Sequence, residues 1–158
     1  MSISTAYKFG LSTRETLTSG VPDVSTPVLN HNGYDESGVL NATSTPPATK
    51  CSFFLLTLSA GAATINLASL TGAAGITVDG TGLRVQCIRV KNLGANAMTF
   101  SEGASNGIAL ACGTFVVPAG GITQIFLNDA SPDIASGDRT IDVAGTLVQT
   151  AEISIIMG

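Results

Sequence analysis

The sequence predicts an all-β fold: a β-sandwich of jelly-roll or Ig-like character behind an extended N-terminal arm. Three observations carry that expectation. Apolar and polar residues alternate in short runs, the pattern of half-buried strands. Turn signals rich in glycine separate those runs at about 8–12 residues, the spacing of sandwiches and barrels. The surface helix formers Glu, Lys, Gln and Arg are scarce, and only 11% of the chain is charged, against about 25% in an average domain.

Residues 1–50 form the predicted arm. They hold four of the six prolines (Pro22, Pro27, Pro46 and Pro47) and the Ser/Thr-rich string Asn41–Lys50. Proline removes backbone donors and favours extended chain. Within the arm Tyr7, Phe9 and Leu11 alternate as in a single strand; the arm either folds over its own domain or reaches onto a neighbouring subunit, with these three as its candidate contacts.

Residues 51–158 form the predicted sandwich domain. Ser52–Leu58 is a near-continuous apolar run suited to a central strand. Ala63–Leu67 alternates, Leu67–Gly72 has room for one helical turn, and Thr71–Gly75 and Asp79–Gly82 are turns. Leu83–Val90 alternates but changes phase between Cys87 and Ile88, which suggests a bulge or burial on both faces. Asn92–Asn96 turns into Met98–Phe100. Thr114–Val117 and Ile122–Leu127 flank Pro118–Gly121, the clearest hairpin signal. Thr140–Ala144 and Ala151–Met157 complete about eight strands.

Composition narrows the function. Hydrophobic residues make up 44% of 158 and the mean hydropathy is +0.40, so the chain can bury a core. No apolar run approaches the roughly 20 residues that span a bilayer. Met1–Gly10 lacks the basic and apolar regions of a signal peptide, so synthesis in a cytoplasm without membrane insertion is expected. Net charge is −4, and of the basic residues only Arg84, Arg89 and Lys91 cluster. That disfavours nucleic-acid binding, which needs a basic face. So few charges leave little solubilising surface for a free monomer, and a homo-oligomer or a component of a larger assembly follows. Cys51, Cys87 and Cys112 are widely spaced beside apolar residues, and are expected to be buried free thiols.

Catalytic chemistry finds little support. The lone histidine, His31, sits in a polar, turn-rich stretch, and no GxSxG elbow presents a serine. Asp142 and Glu152 are a formal carboxylate pair for glycoside hydrolysis. The alternation around them makes them outward-facing polar positions instead. Asp129, Asp133 and Asp138 lie in the densest acidic segment and are the metal candidates, but their spacing matches no calcium loop. No phosphate-binding glycine loop occurs, so no cofactor is expected. A sugar site would want exposed aromatics. The chain has no Trp, and Tyr7 and Tyr34 both fall in the arm.

Four stretches carry a family likeness. They are Arg89–Asn96 followed by Met98–Gly103, the Val117–Gly121 turn, Asp142–Gly145, and the terminal Glu152–Gly158. With their "N-x-G" strand end, "P-x-G-G" turn and terminal strand closing on glycine, residues 50–158 resemble small β-sandwich virion proteins of tailed bacteriophages, of the decoration, head-fibre or tail-associated class. The resemblance implies a non-enzymatic structural role in the virion, frequently trimeric, with the N-terminal segment contacting the major capsid protein, another virion protein or a neighbouring subunit. It transfers no catalytic residues. Two other classes stay open: a host- or glycan-binding module, and a hydrolase built on an unrecognised carboxylate pair.

Overall fold

The eight strands of the C-terminal two-thirds pair as nested partners, first with last. The computed structural model describes residues 3–10, 12–16, 28–31, 33, 35–72 and 75–158. These contain β1 (Ser4–Gly10), β2 (Thr13–Thr16), β3 (Val28–His31), β4 (Asp35–Asn41), β5 (Lys50–Thr57), β6 (Ala62–Asn66) and β7 (Leu70–Thr71). They continue through β8 (Thr77–Val78), β9 (Val85–Asn92), β10 (Met98–Glu102), β11 (Phe115–Val117), β12 (Ile122–Phe126), β13 (Thr140–Ala144) and β14 (Thr150–Met157). Every strand pairing is antiparallel, and no α-helix occurs among the described residues.

β5 pairs with β14, β6 with β13, β9 with β12 and β10 with β11. Two further pairings, β14 with β9 and β13 with β10, complete two four-stranded sheets. The first has the order β5-β14-β9-β12 and the second β6-β13-β10-β11. Alternation sends Ile88, Val90, Ile153, Ile155 and Met157 of the first sheet into one core with Ile65, Met98, Phe100, Ile141 and Val143 of the second. This is the arrangement of a β-sandwich. Phe100 is 1% exposed and stacks on Phe115 at 5.0 Å between ring centroids. Each such burial stabilises by roughly 1.5–3 kcal/mol.

The eight strands fall where alternation predicts them, within a few residues. The phase change in β9 has a clear cause. Ile156 stands opposite Cys87 but Met157 opposite Val85, so Gln86 is the extra residue of a bulge. Its side chain is fully buried. It donates to Gly158 O at 3.1 Å and to Asp129 Oδ1, and accepts from Asp129 N at 3.1 Å. A buried amide is tolerated because its polar atoms are bonded.

Three expectations need correction. Pro118–Gly121 is not a hairpin: β11 belongs to the second sheet and β12 to the first, so the turn is a corner between sheets. Buried Asn92 fixes that corner, donating from Nδ2 to Val117 O and Pro118 O at 3.1 Å each and to Asn96 O at 2.8 Å. β5 is an edge strand rather than a central one. Leu67–Gly72 makes a turn and β7 instead of a helical turn, because Leu67 and Leu70 both reach the core. The described strands of the N-terminal region form an antiparallel ribbon. β1 pairs with β4 and β2 with β3, and the register shifts by one residue between Gly10↔Asp35 and Thr13↔His31.

The base of this ribbon is tied to the body. Tyr7 stands opposite Gly38, whose added Cβ would lie 2.5 Å from the Tyr7 Oη, so only glycine leaves room for the ring. After β4 the Ser/Thr-rich string closes into a tight turn. Ser44 Oγ donates to Asn41 O at 2.8 Å and Pro46 O at 2.7 Å, and Ala48 N donates to Asn41 O at 2.8 Å. His31 ends β3, while Leu11 and Tyr34 lie outside the described residues.

Candidate functional site

Of the five exposed large apolar residues in the described strands, Phe53, Leu55 and Ile122 lie on the outer face of the first sheet. Register places its outward residues in rows across β5, β14, β9 and β12. One row is Cys51, Ile156, Cys87 and Phe126. The next is Phe53, Ser154, Arg89 and Gln124, and the third is Leu55, Glu152, Lys91 and Ile122.

The first row is largely covered. Leu40 and Ala48 are buried with Cys87 and Ile156, and Ile3, Tyr7 and Phe126 pack around them. The Tyr7 and Phe126 rings meet at 4.8 Å with a tilt of 58°, a favoured aromatic geometry. Tyr7, one of the three arm candidates, thus packs on its own chain. Phe9 lies in β1 opposite Glu36. Burial pushes the Cys87 thiol up to about 11, so it stays protonated at neutral pH. Cys112 is half-buried, whereas Cys51 is exposed at the open end of the row. All three are free thiols, but only Cys87 has the burial expected of them.

The second and third rows are open. Phe53, Leu55 and Ile122 are 61%, 60% and 59% exposed. Lys91 Nζ lies 3.8 Å from Glu152 Oε2, the one ion pair across these rows among the described residues. Beyond the third row, Leu147 and Val148 are 74% and 72% exposed in the β13–β14 loop. Buried Gln149 holds that loop, donating to Asn96 O and accepting from Thr146 N. An apolar surface on a rigid framework is the signature of a contact site.

A pocket of about 350 Å³ opens where the ribbon meets this sheet, lined by Tyr7, Glu36, Leu40, Pro46, Phe126 and Asn128 among others. Sequence reasoning missed it, because Tyr7 and Phe126 are 119 positions apart and nothing local links them.

The carboxylates singled out in the sequence sit in separate local settings. Asp142 projects from β13 on the outer face of the second sheet, accepting from Ala104 N at 2.8 Å and Thr64 Oγ1 at 2.7 Å. Glu152 projects from β14 on the outer face of the first sheet. Two sheets stacked about 10 Å apart separate the pair, and each carboxylate faces outward, the position that the alternation around it predicts. Asp133 binds Arg84 Nε at 2.6 Å and Asp129 binds Gln86. Asp138 sits in a turn closed by hydrogen bonds between its backbone and that of Ala135. Among the described residues, no three His, Cys, Asp or Glu side chains come together as a metal site. Nor, among the described residues, is any helix long and apolar enough to cross a membrane. No family model, curated protein or solved structure matches the chain.

Proposed function

We propose that this protein is a non-enzymatic structural component of a virus particle, a decoration or other virion protein of the tailed-phage kind. It works through contacts with copies of itself and with the major capsid or another virion protein. The observation that carries this reading is the open apolar face of Phe53, Leu55 and Ile122 on a chain with 11% charged residues. Such a surface is costly to leave in water and is covered when subunits assemble. The nested pairing order supports a jelly-roll body over an Ig-like one. In a jelly roll, eight strands form two sheets by rolling up one long ribbon, an architecture recurrent in viral capsid and lectin domains. That support is an analogy at the level of fold. In this reading residues 1–50 are the arm, with Tyr7 as its anchor on the body and the β2–β3 half free to reach a neighbour.

The test is to sediment the purified chain and to measure its copy number in purified particles by quantitative mass spectrometry. Self-association and a fixed, high copy number are expected. A monomer missing from particles overturns the reading.

The pocket favours a second reading, a glycan-binding module. It joins two aromatic rings to the polar side chains of Glu36 and Asn128, the chemistry that holds a sugar ring. Saccharide binding by calorimetry that is lost in Tyr7→Ala would favour it. The absence of binding across a broad glycan array would sink it.

A further inference from the structure

We propose that two copies of this chain join edge to edge through β5, antiparallel about a twofold axis at Leu55, so that the first sheet continues into its counterpart. This inference rests on the self-assembly reading above and names its contact. Among the described residues β5 has β14 on one side and no strand in its ladder on the other. Leu58 N donates to Gln149 O directly across from it, and the backbone direction alternates with period two. The N–H and C=O groups of Phe53, Leu55 and Thr57 therefore point away from β14, toward the open edge. The β7–β8 hairpin takes only the other end of the strand, where Ser52 Oγ donates to Thr71 O at 2.5 Å and Lys50 Nζ donates to Asp79 O.

Natural edges are guarded by charge, proline, bulges or brevity. The other edge strands of the two sheets, β6, β11 and β12, have five, three and five residues, and β11 runs straight into Pro118. β5 has eight, with no charge or proline after Lys50. Charge and pattern select a second copy as its partner. Pairing through Leu55 sets Leu55 against its own counterpart and Phe53 against Thr57, with no like charges opposed. The exposed Phe53 and Leu55 of both copies then merge into one apolar strip. An isologous contact satisfies both open edges at once.

The test is sedimentation of the full-length chain across a concentration series, beside Leu55→Pro and Leu55→Lys. The Leu55 N–H serves no bond within its own sheet, so proline removes a donor from both copies and spares the β14 ladder. Dimerisation should weaken about thirtyfold from those two lost bonds alone, with the β-type circular dichroism spectrum kept. Leu55→Lys, which opposes two charges at the axis, should weaken it likewise and decides the matter if proline disturbs the fold. Leu55→Cys in a Cys51→Ser background should cross-link to a dimer with a short bis-maleimide. Self-association unchanged in the Pro and Lys chains, or a wild-type trimer, overturns the β5 contact and leaves self-assembly standing. A wild-type chain that stays monomeric overturns both.

Discussion

The two sheets share one core yet present opposite outer surfaces. Outside the second sheet, register lines up Thr64, Asp142 and Ser101, then Ala62, Ala144, Thr99 and Val116. These side chains are small or polar, apart from the single exposed Val116, and suit water. Outside the first sheet, the ribbon covers one row and leaves Phe53, Leu55 and Ile122 bare. The inner faces are equivalent, so core packing cannot account for the difference. An antiparallel sheet needs only one buried face to be stable. The apolar side chains on the second face of the first sheet serve contact with the chain's own ribbon in the first row, and in the function proposed above the open rows serve contact with other subunits.

Substitutions layer by layer can break that comparison. The largest effect belongs to the shared core. Phe100→Ala should destabilise by about 3–5 kcal/mol, read as a shifted urea midpoint. A loss under about 1 kcal/mol would mean that the two sheets do not share a tight interior. The next largest belongs to the covered row. Tyr7→Ala removes a half-buried ring from Phe126, and should cost about 1–2 kcal/mol. It should also speed labelling of Cys87 by a thiol reagent. In the parent chain Cys51 should react at once and Cys87 only on unfolding, since burial keeps Cys87 protonated up to about pH 11. Equal rates at the two thiols would show that the ribbon does not shield the row.

On the second sheet's outer face, Asp142→Ala should cost about 1 kcal/mol, the worth of hydrogen bonds near solvent. The Ala104 N–H, followed by the Thr64 hydroxyl, holds this carboxyl below its ordinary range. A depressed acid stabilises the fold above its unfolded pKa, about 3.9, and loses that contribution as pH falls through the lower folded value. The gap between parent and variant should thus be constant from pH 7 to about 5 and shrink in stronger acid. A gap that widens in acid would reverse the assigned sign. The smallest effect on stability belongs to the open rows. Phe53→Ser with Ile122→Ser should move the monomer's stability by no more than about 0.5 kcal/mol while reducing self-association. A large loss of stability there would place these side chains in the fold rather than at a contact.

Local pattern alone determined much of this protein. The eight strands of the body, the irregularity in β9 and the absence of α-helix among the described residues follow from period-two alternation, glycine punctuation and the shortage of helix formers. All of these act within a few residues. Partnership acts across the whole chain, and there the local signals misled. The run Ser52–Leu58 resembles a central strand because its outward residues are apolar, but hydropathy does not record whether the cover is another strand, a ribbon or a second molecule. Pro118–Gly121 bears hairpin residues, yet Asn92, more than twenty positions earlier, captures Val117 O and Pro118 O and turns the chain into the other sheet. Asp142 and Glu152 are ten residues apart in sequence and on opposite faces of the molecule, since their strands belong to different sheets. Tyr7 meets Phe126 only because the ribbon doubles back over the first sheet. Which residues extend and which turn is legible locally, because those preferences are set by each residue and its neighbours. Which strand lies at an edge and which apolar face stays open emerges on folding, because sheet order is settled by burying one core shared by the whole chain.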